Sequence, residues 1–170
     1  MGVKREELDV RRITNRVILL PNGLSLLRLS LTSVLVMQIL RDGSMILPFY
    51  CVLSLSDILD GALARKLHAT SNIGRYLDVV ADFTLLFSIS SVYMVQGLYH
   101  PLLLAAELTS FSLFLLRGGR ALGYDPLGKH IGTLLYAVIL VTLLEPPAFT
   151  IQLLQIVAVL YIALALMIRA

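Results

Sequence analysis

The sequence predicts an all-α integral membrane protein, with six transmembrane helices behind an amphipathic N-terminal helix, and three observations carry that expectation. Of the 170 residues, 58% are hydrophobic, and the mean hydropathy of +0.86 is well above that of a soluble domain. Only 15% are charged, and these gather at junctions instead of spreading over a wetted surface. Between the junctions lie six apolar runs close to the roughly 20 residues that a helix needs to cross a bilayer.

Residues 1–20 form the first unit. Val10, Ile13, Val17 and Leu20 recur at helical spacing, while Arg5, Glu6, Asp9, Arg12 and Arg16 take the other side. This pattern predicts a helix lying in the membrane interface. The segment has neither an apolar core of signal-peptide length nor a small-residue cleavage site, so it is expected to be retained. Residues 21–170 form the second unit, the transmembrane domain. Its runs are 24–40, 45–64, 73–95, 101–116, 130–144 and 149–168, broken by turn chemistry at "RDGS", "HATSN", "GLYHP", "GGRALGYDPLG" and "EPP". The lone Cys51 sits in an apolar run and cannot form an intrachain disulfide, which makes it a packing residue.

Basic residues orient the bundle. Lys4, Arg5, Arg11, Arg12 and Arg16 precede the first run; Arg65, Lys66 and Arg75 join the second and third; Arg117, Arg120 and Lys129 join the fourth and fifth; Arg169 follows the sixth. The opposite connections hold only Arg41, so the positive-inside rule puts both termini and the two basic loops in the cytoplasm. The net charge of +3 is thus a topology signal with anionic headgroups as its partner. No basic patch interleaved with aromatics points to nucleic acid.

Against this background residues 57–82, "DILDGALARKLHATSNIGRYLDVVAD", concentrate four carboxylates at the cytoplasmic ends of two runs. Asp57 and Asp60 are three apart and Asp78 and Asp82 four apart, so each pair shares a helix face. With the two helices as antiparallel neighbours, the four can converge. Ionised carboxylates at membrane depth are costly and repel one another, and divalent cations are the simplest compensation. Oxygen-only ligands favour Mg²⁺, Mn²⁺ or Ca²⁺ over zinc, and four Asp could hold two such ions against a phosphate or pyrophosphate. Gly61, Ala64 and Gly74 leave room beside the acids, Arg65 can bind a phosphate bidentately, and Ser71 offers a hydroxyl.

The spacing Asp-x2-Asp-Gly-x2-Ala-Arg-x8-Gly-x3-Asp-x3-Asp resembles the signature of the CDP-alcohol phosphatidyltransferase family, with all eight fixed positions present as Asp57, Asp60, Gly61, Ala64, Arg65, Gly74, Asp78 and Asp82. "PNGLSLLR" at 21–28 is similar to that family's entry to its first span. The resemblance implies six transmembrane helices after a juxtamembrane helix, usually as homodimers. It also implies transfer of a substituted phosphate from a CDP-linked lipid alcohol (CDP-diacylglycerol or an archaeal ether analogue) to a second alcohol, with release of CMP. Carried over by position, Asp57, Asp60 and Asp78 are ligands of Mg²⁺ or Mn²⁺, two ions in all. Asp82 is both a ligand and the general base. Gly61, Ala64, Arg65, Ser71 and Gly74 shape the CDP site, and Asn22 closes it.

For the acceptor, Arg117, Arg120, Lys129 and His130 lie where members using phosphorylated acceptors, such as glycerol 3-phosphate or inositol phosphate, carry basic residues. "DPLGKHIGT" loosely resembles the Gly-Lys-x-x-Thr segment of phosphatidylglycerophosphate synthases, with three residues rather than two between Lys129 and Thr133. The Lys that often follows the last Asp there is Phe83 here, and "DVVADFTLLFS" is also similar to the serine-accepting branch. Outside the signature, Arg28 either snorkels to the interface or pairs with the acids, while Glu107, in mid-run, calls for a partner or an acceptor role. His68 and His100 fall in loops and are expected to be solvated, not ligands, and Tyr76, Tyr93, Tyr99 and Tyr124 are expected as interfacial anchors. Two further functional classes stand beside the transferase. A small divalent-cation transporter or channel would need a polar path across the membrane, and a scaffold would need an eroded signature.

Overall fold

A computed structural model of the chain describes residues 27–66, 72–116 and 126–169. The side chains of 57–66, 72–75, 126–129 and 169 are outside the description although their backbone is helical. The expected interfacial helix at 1–20 lies outside the described residues. Among those described there are six helices and no strand: α1 (Leu27–Leu40), α2 (Ile46–Lys66), α3 (Asn72–Val95), α4 (Pro101–Leu116), α5 (Pro126–Leu143) and α6 (Ala148–Arg169). The six coincide with the six apolar runs to within a few residues. α3, over Tyr76–Val95, and α6, over Ala148–Ile168, are long and apolar enough to cross a membrane.

Three of the helices stop at a residue in the left-handed region: Asp42 after α1 (φ 49°), Gly97 after α3 (φ 78°) and Glu145 after α5 (φ 53°). At Gly97 the amide of Leu98 reaches the carbonyl of Tyr93 at 2.9 Å, and that of Gly97 reaches Met94 at 3.0 Å. The same pair of bonds recurs where Gly43 and Asp42 reach Gln38 and Ile39. Both are Schellman caps, which satisfy carbonyls that the helix leaves open. After Glu145 the next residue is Pro146, whose lack of an amide prevents the second bond.

Packing follows helical periodicity. α1 buries Arg28, Thr32, Leu35 and Ile39, and α6 buries Ile151, Gln155, Ala158, Ile162 and Ala165, each a stripe at intervals of three and four. α3 packs on α4 and α5, and α6 on α4 and α5, which closes a four-helix ring, with α2 against α5. Leu35, Leu53, Leu85, Ile89, Leu103, Val138, Ile139 and Ile162 form the core. Large apolar side chains also cover the outside, from Met37 and Val52 to Leu102, Leu160 and Met167. An apolar exterior of this extent needs lipid or a protein partner against it.

One expectation changes. Tyr93 and Tyr99, expected as interfacial anchors, are buried instead with rings 5.3 Å apart: Tyr93 lies on the inward face of α3, and the capped end of that helix folds the loop with Tyr99 back over the core. Tyr76 is partly exposed and stacks on Phe114; Tyr124 lies outside the described residues. α5 lies against both α2 and α3 among the described contacts, and the ends of α2 and α3 that are expected to meet have side chains outside the description. Cys51 is half-buried, as a packing residue should be.

Candidate active site

The inward stripe of α3 runs Asp78, Asp82, Leu85, Ile89, Tyr93, so it is acidic for its first turn and apolar thereafter. Helical spacing alone puts both carboxylates on the face that packs into the bundle. Arg28, first in the buried stripe of α1, crosses to meet them. Its Nη1 donates to Asp82 Oδ1 at 2.5 Å and to Asp78 Oδ1 at 3.4 Å. The Arg28 side chain is 2% exposed, against 42% for Asp78 and 30% for Asp82. A guanidinium so deeply buried does not snorkel; of the two roles open to it, pairing with the acids is the one the structure adopts. Thr32 adds a bond to the Arg28 carbonyl at 2.8 Å, inside the same helix turn.

From the other side comes α5. The Tyr136 hydroxyl donates to the same Asp82 Oδ1 at 3.1 Å, and the Tyr50 hydroxyl of α2 donates to the Tyr136 carbonyl at 2.8 Å. A helical side chain leans towards its own N-terminus, which sends the Tyr136 ring towards the basic end of the bundle, where the acids lie. One carboxylate oxygen thus has donors from α1 and α5. Neither tyrosine stood out in the sequence. A mid-run hydroxyl three residues beyond Thr133 and seven beyond Lys129 was the available signal.

The remaining expected site residues are placed as follows. Asp57, Asp60, Gly61, Ala64 and Arg65 lie on the last turns of α2, Gly74 on the first turn of α3 and Lys129 near the start of α5, with side chains not described. Asp57 and Asp60 follow the buried Leu53 by four and seven residues on one unbroken helix. Asn22, Ser71, Arg117, Arg120 and His68 are outside the described residues. His130 is exposed on α5. Among the described residues no three candidate metal ligands gather; the described half of the acidic set is the Asp78 and Asp82 pair. The hard oxygen donors of the two carboxylates suit a divalent ion, which would share their charge with the Arg28 guanidinium already against them.

Phe83, one residue past the last Asp, turns to α4, where its ring stacks on Phe111 with centroids 3.8 Å apart. That position therefore faces α4 and not the acids. Glu107 is 3% exposed and accepts a 2.9 Å bond from Ser90 on α3; its Oε2 has no hydrogen-bond partner among the described residues. Ser90 lies eight residues beyond Asp82, about 12 Å along the helix, so Glu107 belongs to a separate polar site. Still further along, Tyr99 pairs with Thr142 at 2.8 Å, and Gln155 of α6 accepts from the His100 amide and donates to the Leu98 carbonyl. Burial pushes the Tyr99 phenol up, keeping its proton on the oxygen. His100, expected to be solvated, is exposed and caps α4 by accepting from the Leu102 amide at 3.2 Å.

Set against known protein families, residues 18–168 match the model of the CDP-alcohol phosphatidyltransferases. The chain belongs to that family. Among similar proteins, a CMP-forming cardiolipin synthase of Streptomyces coelicolor is 37% identical over 48% of this chain and 41% of its own length. A CDP-diacylglycerol–glycerol-3-phosphate 3-phosphatidyltransferase of Aquifex aeolicus is 35% identical over 49% of this chain and 48% of its own. A chloroplastic enzyme of that name from Oryza sativa is 33% identical over 58% of this chain and 32% of its own. The matched part is less than half the length of each relative. Among the described side chains of the family signature, Arg28 engages Asp78 and Asp82, and Tyr136 engages Asp82.

Proposed function

We propose that the protein is a multi-pass membrane transferase that moves a substituted phosphate from a CDP-linked lipid alcohol to glycerol 3-phosphate, releasing CMP, in phospholipid synthesis. The observation that carries this reading is the full signature spacing in a chain of this family, with its last two acids drawn to one buried arginine. The names of two of the three relatives support glycerol 3-phosphate as acceptor. All six helices then span the membrane, residues 1–20 lie in its interface, residues 21–170 form the catalytic domain, and the site and both termini face the cytoplasm. A homodimer would cover part of the apolar exterior.

Asp57, Asp60, Asp78 and Asp82 would hold two divalent ions, Mg²⁺ or Mn²⁺. Bound there, such ions supply positive charge against the donor pyrophosphate and the departing CMP. Asp82 takes the proton of the acceptor hydroxyl as that oxygen attacks the lipid-bearing phosphorus; the bond from that phosphorus to CMP breaks, and CMP leaves with the electron pair. Arg65, Ser71 and Asn22 bind the CDP portion beside the small residues Gly61, Ala64 and Gly74. Arg117, Arg120, Lys129 and His130 supply cations for the acceptor phosphate. Arg28 keeps the Asp78 and Asp82 charges compensated. A cation path would have to continue through the apolar stripe from Leu85 to Tyr93, which weighs against the transporter reading.

A second reading follows from the Streptomyces relative: the acceptor is a lipid whose headgroup ends in a glycerol hydroxyl, and the product is cardiolipin. The test is CMP release by purified protein with Mg²⁺ and CDP-diacylglycerol, using glycerol 3-phosphate, inositol phosphate, serine and a glycerol-headed phospholipid in turn. Release with glycerol 3-phosphate alone is expected. Release with the glycerol-headed lipid alone would replace the first reading with the second, and release with serine alone would place the chain in the serine-accepting branch. No release with any acceptor would overturn the transferase assignment.

A further inference from the structure

The least expected contact in the site is the one made by α5. Resting on the reading of Asp82 as the group that takes the acceptor proton, we propose that Tyr136 is a positioning residue for this base, its hydroxyl holding the Asp82 carboxylate in the orientation that receives the acceptor's proton.

Three observations on separate helices support the assignment. Tyr136 donates to Asp82 Oδ1 at 3.1 Å, on the oxygen that Arg28 also engages. An aspartate turns freely about its terminal bond unless its oxygens are held. Arg28 supplies charge and one anchor point; Tyr136, arriving from α5, restrains the carboxylate from another direction. Tyr136 is itself held. Its carbonyl accepts from Tyr50, which is 2% exposed, and the two rings lie 6.2 Å apart at 44°. Tyr50 belongs to the same helix as Asp57 and Asp60, so one connected path runs from the first acidic pair's helix through α5 to the second pair.

Such bracing matters because proton transfer depends steeply on geometry, and a misplacement of about 1 Å can cost about a hundredfold. A hydrogen bond to a charged group is roughly twice as strong as one between neutral groups, which sets the scale of what the hydroxyl can hold. The ring packs between helices and the hydroxyl aligns the base, so the two contributions separate on removing the oxygen alone.

The experiment compares wild type, Tyr136→Phe, Tyr50→Phe and Asp82→Asn in the CMP-release assay, with thermal unfolding in detergent. Tyr136→Phe is expected to lower kcat about tenfold while leaving the KM for the CDP-lipid within about twofold and the unfolding midpoint near wild type. Tyr50→Phe, which loses the bond to the Tyr136 carbonyl and leaves Asp82 its own donors, is expected to lower kcat by much less. Wild-type kcat in Tyr136→Phe, with Asp82→Asn inactive, would overturn the positioning role and leave the base intact. So would an equal or larger loss in Tyr50→Phe, since the effect would then lie in helix packing, or a loss in Tyr136→Phe that appears only with a matching fall in unfolding midpoint. Full turnover in Asp82→Asn would overturn the base reading itself, a result that Tyr136→Phe cannot imitate.

Discussion

At its basic end α3 presents Asp78 and Asp82, and about 12 Å further along it presents Ser90 and packs near Glu107; both places bring carboxylates to helix contacts, yet they are built differently. The first pair meets a cation from α1 and a hydroxyl from α5, and keeps 42% and 30% of its side-chain surface exposed. Glu107 is sealed, with Ser90 as its hydrogen-bond donor. Beyond it the Tyr99–Thr142 and Gln155 contacts tie the α3–α4 loop to α5 and α6. Exposure suits a site that, on the proposed function, admits ions and substrate. Closure suits a joint. On the proposed function, the contrast puts chemistry at one end of the helix and assembly at the other, and variants at the two ends should separate accordingly.

The largest separation is expected from Asp82→Asn. It preserves size but removes the charge and the basic oxygen, and general-base catalysis contributes about 10²–10⁴-fold, so CMP release should fall within that range while the helical fold persists by circular dichroism. Retained turnover would erase the distinction between the two ends. Arg28→Met comes next. Breaking a buried ion pair costs about 3–5 kcal/mol, and the partial exposure of the two Asp side chains reduces that to roughly 1–3 kcal/mol. The loss should be seen as a lower unfolding midpoint in EDTA and should shrink on adding Mg²⁺, since a bound ion would compensate the same carboxylates. An equal loss with and without Mg²⁺ would show that arginine and metal do not answer the same charge.

How far these features could be read in advance differs residue by residue. The Asp stripe was legible because its spacing is helical and its neighbours are apolar, so only one face could hold it. The six helices were legible because the caps at Asp42, Gly97 and Glu145 stand in segments whose turn chemistry was already apparent. Arg28 was half legible: its side was written in the period of Thr32, Leu35 and Ile39, but its partner depended on which helix α1 meets. Tyr136 was not legible, because a tyrosine in an apolar run gains its meaning only from α5 lying against α3. Tyr93 and Tyr99 misled for a related reason. Proximity to a span end does not say whether a ring turns to the interface or back over the core; here the period of α3 turns Tyr93 inward, and the Schellman cap at Gly97 brings Tyr99 back over the core.

The smallest effect should come from Glu107→Gln, and its smallness is informative. The amide keeps the shape of the side chain and an oxygen that can accept from Ser90, so the α3–α4 joint should survive. Hydrogen bonds between helices in a bilayer average about 0.6 kcal/mol, and losing or re-forming one bond of that size is a minor change in stability. Turnover should stay within about twofold of wild type and the unfolding midpoint should move by at most a few degrees, measured side by side with Ser90→Ala. A large loss of turnover at an unchanged midpoint would mean that the sealed carboxyl communicates with Asp82 along α3. The two ends of the helix would then be one functional unit, and the division between chemistry and assembly would fail at its closed end.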